Sequence, residues 1–192
     1  MKTDINNIIK QRRSIYPKEY NGEQIEDSII ETLLENANYA PNHYSNYPWR
    51  FIVISPNKIK DFFTKAAQIY KESVFEEKFD AKKFEKTKDN GNLVSHVIAI
   101  IYQKDIEDTK STDIENTCAI ACAVQNIALS LSQYENVGGY WSTGLGTHSS
   151  KMAEYLKMSK NQSLMGFFIL GKTDTKRTEG SKKSYKNFVS YL

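Results

Sequence analysis

One stretch of this 192-residue chain, Glu115 to Tyr134, constrains the fold more than any other, because it has almost no polar face. Cys118, Ala121, Cys122, Val124, Ile127, Ala128 and Leu131 recur in it at helical spacing. A helix apolar nearly all round must be covered on more than one side, either at the centre of a domain or in a subunit interface. A chain of this length folds with roughly 70% of its unfolded surface buried, enough for such a centre, and a single domain over residues 1–192 is expected. Cys118 and Cys122, the only cysteines, form neither a CxxC pair nor a disulfide framework, and are expected as small core residues.

The remaining pattern supplies the cover. Helices are expected over about Asp4 to Gln11, with Thr3 as its cap, and about Ile25 to Asn38, which must stop before Pro41. Strands are expected over Arg50 to Ser55, buried between Pro48 and Pro56, over Val94 to Tyr102, and over Leu164 to Leu170. Ile59 to Lys88 reads as a helix with a less regular continuation, Asp105 to Asp113 as a polar loop, and Ser149 to Leu156 as a short helix. NVGGYWSTGLG reads as a Gly-rich turn. The end of the chain, with Phe188, Val189, Tyr191 and Leu192, is too apolar for a merely solvated tail.

Composition excludes some classes. The hydrophobic fraction is 40% and the charged fraction 26%, with no window of eighteen or so apolar residues, so a soluble protein without a membrane span is expected. The N-terminal MKTDINNIIKQRR lacks the apolar core of a signal peptide, which favours the cytoplasm. A net charge of +3, with lysines interspersed among acids, gives no nucleic-acid stripe. His43, His96 and His148 have no ligand spacing, so no metal site is expected.

Arginine occurs only at 12, 13, 50 and 177, and two of the four are adjacent. A guanidinium grips phosphate oxygens in pairs and a serine hydroxyl adds a donor, so Arg12, Arg13 and Ser14 are candidate phosphate ligands; solvated basic residues near a helix end are the plain alternative. Gly138, Gly139, Gly144 and Gly146, around Tyr140, Trp141, Ser142 and Thr143, could bring backbone against a flat ligand or simply make a tight connection. The chain has no GxGxxG after a strand, no phosphate-loop motif and no GxSxG. An enzyme of this kind would leave the hard chemistry to a bound cofactor.

Taken in order, QRRSIYP, the elbow APNHYSNYPWRFIVI, the apolar helix, GGYWSTG and FFILGK resemble the FMN-dependent nitroreductase family, and its short bacterial members above all. The resemblance implies an α+β nitroreductase-like fold with a central, mostly antiparallel sheet among helices, in a domain-swapped type of homodimer. It implies FMN between subunits, reduced by NADH or NADPH, with the electrons passed to a small organic acceptor such as a nitroaromatic or quinone. No side chain need act as a catalytic group, since FMN carries the chemistry; an FMN-binding or sensing protein without turnover is the alternative.

By the same resemblance Arg12, Arg13 and Ser14 match phosphate and ribityl contacts, and Pro41, Asn42, His43 and Ser45 fall in an elbow that reaches the flavin, often from the partner. Tyr140, Trp141, Ser142 and Thr143 match the segment lining the ring, and Lys176 or Arg177 the basic residue that returns to the phosphate. Tyr16 stands in the cofactor-binding set where many members carry a base, with Lys18 as candidate substitute. Ser45 and Tyr47 replace the commoner Asn and Gln. Residues 59–88 are a candidate acceptor-selecting lid, or ordinary packing.

Overall fold

The computed structural model describes residues 4–104, 110–179 and 181–192. Four strands, β1 (Trp49–Ile54), β2 (His96–Gln103), β3 (Val137–Ser142) and β4 (Gln162–Lys172), form one sheet in the order β1-β2-β4-β3, and each neighbouring pair is antiparallel. The helices among the described residues are α1 (Ile5–Gln11), α2 (Asp27–Asn38), α3 (Pro56–Ser73), α4 (Ala81–Asp89), α5 (Asp113–Leu131) and α6 (Ser150–Tyr155).

Alternation along β2 and β4 builds a core on each face of the sheet. Ile98, Ile100, Phe168 and Leu170 point toward α2 and α5, where Ile30, Leu33, Ile120, Ala123, Val124 and Ile127 meet them. Val97, Ala99, Phe167 and Ile169 point the other way, toward Phe62, Phe63 and Ile69 of α3 and Met152 of α6. Each of these large side chains contributes roughly 1.5–3 kcal/mol by leaving water. β2 is central and buried on both faces, so its sequence is continuously apolar.

Several expectations change. The segment read as a Gly-rich turn contains β3, so the sheet has four strands where three were expected; the turn itself follows Ser142. β1 is an edge strand, with three of its six residues half-buried and Arg50 exposed, and among the described residues no strand pairs with its outer side. Cys118 and Cys122 are exposed: the sheet takes the face of α5 that carries Ala119, Ile120 and Ala123, and the cysteines lie on the other. α5 is long and apolar enough by length and composition to cross a membrane, yet its buried residues pack on the sheet. Thr3 lies outside the described residues, and Asp4 caps α1, its carboxylate accepting from Asn6 N at 3.0 Å. The expected polar loop at 105–113 falls largely on residues outside the described set.

Two local devices shape the sheet around β3 and β4. In register with Ile100 and Ile101, Met165 is an extra residue on β4, a bulge whose Gly166 has φ +128 and takes the carbonyl of Ser142 where a side chain would stand. Gly138 of β3 and Gly171 of β4 face each other directly. A Cβ on Gly171 would lie 2.3 Å from the ring of Tyr20, and one on Gly138 would lie 2.9 Å from Ile15. The glycine pair is thus a slot that the segment after α1 fills.

Candidate functional site

Arg12 ends α1, and the chain then runs extended along the outer edge of β3, where Ile15 N donates to Gly139 O at 3.2 Å. Tyr20 locks this segment down. Its ring lies in the glycine slot, and its hydroxyl sits 2.8 Å from Ile15 O and 3.1 Å from Ile169 O. Burial pushes its phenol well above the ordinary tyrosine pKa, so it stays a neutral donor. Thr173 Oγ1 adds a bond to Glu19 O at 2.7 Å.

Held this way, Arg12, Arg13 and Ser14 form one rim of a cleft of about 180 Å³. Its other walls are the outward side of α5, with Ala121, Gln125 and Ala128, and β3, with Gly139, Tyr140 and Trp141. The sequence reading missed the α5 contribution. Its signal was the pair of alanines seven apart, which share a helix face and leave a shallow wall. Leu131 and Phe168 fill the space beside Gly139, so the glycines here serve packing between protein elements.

Arg13 carries the clearest electrostatic statement in the cleft. Its Nη1 donates to Arg12 O at 2.7 Å, whereas its buried Nη2 has no hydrogen-bond partner among the described residues. A buried donor of a charged group left without an acceptor costs roughly 1–3 kcal/mol or more, and the space this side chain borders is the cleft. An anion with several oxygens fits that donor set. Tyr16 stacks obliquely on Tyr140, with ring centroids 4.8 Å apart. Half-burial raises the Tyr140 pKa, keeping a neutral hydroxyl near the cleft. Trp141 Nε1 donates to Met165 O at the bulge, 3.2 Å away, which fixes the indole.

The other expected residues lie elsewhere in the same chain. Ser142 Oγ accepts from Gly144 N at 3.1 Å, and Thr143 borders a separate hollow with His148. The elbow residues Pro41, Asn42, His43 and Ser45 gather at the N-terminal end of α5: His43 Nδ1 is 3.6 Å from Glu115 Oε1, and Asn46 Nδ2 is 2.7 Å from Asn116 Oδ1. Asn116 lies about 7.5 Å along the helix axis, at 1.5 Å per residue, from Ala121, the nearest α5 residue of the cleft wall, and none of the elbow residues lines the cleft, so one chain does not bring elbow and arginines into one hollow. The elbow is strained: Tyr44, Ser45 and Tyr47 have φ of 51, 54 and 45, each a left-handed conformation costing about 1–2 kcal/mol. Asn42 Oδ1 steadies it by accepting from Tyr47 N at 3.2 Å.

Lys176 and Arg177 border a third hollow with Gln11 and Ser132. Lys176 is exposed, and Arg177 bonds four backbone carbonyls at the end of α5 and the start of β3. One further constellation has the members of a hydrolytic triad: Ser95 Oγ is 2.9 Å from His96 Nδ1, and His96 Nε2 is 3.1 Å from Asp27 Oδ1. Ser95 is buried and its Oγ already accepts from Ile25 N at 2.8 Å, so it is closed to a substrate.

Comparison with known proteins agrees with this architecture. The sequence model described as Nitroreductase family matches residues 9–172. "Putative NAD(P)H nitroreductase YfhC" of Bacillus subtilis is 26% identical over 174 residues, covering 88% of this chain and 84% of the relative. The crystal structure of a nitroreductase-like family protein from Bacillus cereus superposes with a TM-score of 0.80 at 21% identity, over 100% of this chain and 97% of that one. The FMN-dependent nitroreductase NfnB of Mycobacterium smegmatis, solved with NADPH, gives a TM-score of 0.74 at 13% identity over 97% of both chains.

Proposed function

Since the chain belongs to the nitroreductase family, we propose that it is a flavin oxidoreductase that holds FMN in the Arg12–Arg13 cleft and uses NADH or NADPH as electron donor. The observation that carries this reading is the buried, unpartnered Nη2 of Arg13 on the cleft rim. A phosphomonoester brings about −1.5 to −2 charge and several acceptor oxygens, which is what that donor lacks. Arg12, Arg13 and Ser14 would hold the phosphate end. Tyr16, Tyr140, Trp141 and the small side chains of α5 would line the rest.

When bound, FMN supplies hydride acceptance from the nicotinamide and reduction of a small organic acceptor such as a nitroaromatic or quinone. The protein's own part is to bind, to orient and to limit water. The neutral hydroxyl of Tyr140 keeps its proton at neutral pH because burial disfavours the phenolate. Pro41, Asn42, His43 and Ser45, which do not line their own chain's cleft, would complete that of a second copy in a homodimer.

The test is an anaerobic titration of purified protein, with the flavin identified after release. A yellow protein whose flavin band bleaches with NADH or NADPH is expected. Protein that stays colourless with added FMN would sink the proposal; flavin that binds but never bleaches would favour a binding or sensing role.

A further inference from the structure

Arg177 has five N–H donors, and the structure accounts for four of them. Nη1 donates to Tyr134 O at 2.5 Å and reaches Ser132 O at 3.4 Å, while Nη2 donates to Leu131 O at 3.2 Å and to Val137 O. The fifth, Nε, is buried without a partner among the described residues. The side chain does not border the Arg12–Arg13 cleft. Its location explains its partners: Leu131 is the last residue of α5, where carbonyls have no helical donor, and Val137 is the first of β3. A cation at a helix C-terminus is also favoured by the dipole.

These two elements are the facing walls of the cleft. The side chain of Leu131 borders it, and Gly139 and Tyr140 follow Val137 by two and three residues. We propose that Arg177 is a positioning residue, a clamp that sets the separation of α5 and β3 and so the width of the flavin cleft, and that it does not grip the phosphate. The inference rests on the proposed FMN site for its effect on binding, but the clamp itself does not. A planar fork serves four carbonyls at once; a lysine ammonium cannot, although it keeps the charge.

Wild type, Arg177→Lys and Arg177→Ala are titrated with FMN and with riboflavin, which lacks the phosphate, and hydrogen exchange is followed in the flavin-free proteins. Both variants are expected to weaken both flavins by the same factor, on the order of tenfold, and to shift the bound-flavin absorption toward that of free flavin. Amides of residues 131–141 should exchange faster. Loss of FMN affinity with riboflavin unchanged, or wild-type FMN binding by Arg177→Lys, would overturn the proposal. If Arg177→Ala does not fold, Arg177→Lys decides alone. A wild type that binds neither flavin removes the proposed flavin function, and the exchange rates still judge the clamp: unaltered rates refute it.

Discussion

Arg13 and Arg177 show how two arginines of one chain differ in what they leave unsatisfied. Arg177 has carbonyls for both terminal nitrogens, whereas Arg13 has one for Nη1 and none for Nη2. Hydrogen bonds to a charged group contribute about 1.5–3 kcal/mol, or roughly ten- to 150-fold in affinity. Arg13→Ala should therefore weaken FMN by at least about tenfold, affect riboflavin little, and leave the melting temperature of the flavin-free protein unlowered. Lys160→Ala, on an exposed turn, is the control. Equal losses for FMN and riboflavin in Arg13→Ala would remove the phosphate assignment. The paired arginines were legible in the sequence because adjacency is local. The partners of Arg177 lie 40 to 46 residues earlier, so nothing near it in sequence announced them.

The elements were legible to the extent that side chains define them. α5, α2 and β2 are strongly patterned and came out within a few residues of expectation. β3 did not, because two of its six residues are glycines, which weaken a strand and normally mark a turn. Gly138 is there for the Tyr20 slot, filled by residues more than a hundred positions away, and Gly139 for the side chains of Leu131 and Phe168. The junction of α2 and β2 carries a pH consequence. His96 is fully buried, desolvation holds its pKa below the usual histidine value, and Asp27 opposes this only in part. The unfolded chain, titrating near 6.5, then binds protons that the folded one refuses. Stability is complete above that pH and declines as pH falls through the folded value. Thermal melts from pH 7.5 to 5 should show this decline, and His96→Leu should flatten it while lowering the melting point at pH 7.5. An unchanged slope in His96→Leu would show that other groups govern it.

The whole molecule leaves unusual apolar surface in water. Ile5 and Ile9 of α1, Ile114 of α5, Tyr39, Phe188 and Tyr191 are each more than half exposed, and α1 buries nothing. Covering such side chains is worth roughly 1.5–3 kcal/mol each, which a second copy would supply. Sedimentation velocity at micromolar concentration is expected to give a two-chain species. Ile114→Glu combined with Cys118→Glu should give single chains that bind FMN at least about tenfold more weakly, since each would lose the other's elbow. A single-chain wild type that holds FMN stoichiometrically would contradict both points. The order of motifs along the chain revealed the family. It could not reveal that elbow and arginines lie apart in one chain, because separation along α5 is a property of the folded helix.

The slot that seats Tyr20 also has a temporal meaning. The arginines are synthesised more than a hundred residues before the strand pair that holds them in place, which comes from positions 137 to 172. Contacts this distant in sequence close late. A chain still emerging from the ribosome would therefore carry its paired arginines long before the walls that position them, and an incomplete product ending before β4 would lack the strand that pairs with β3.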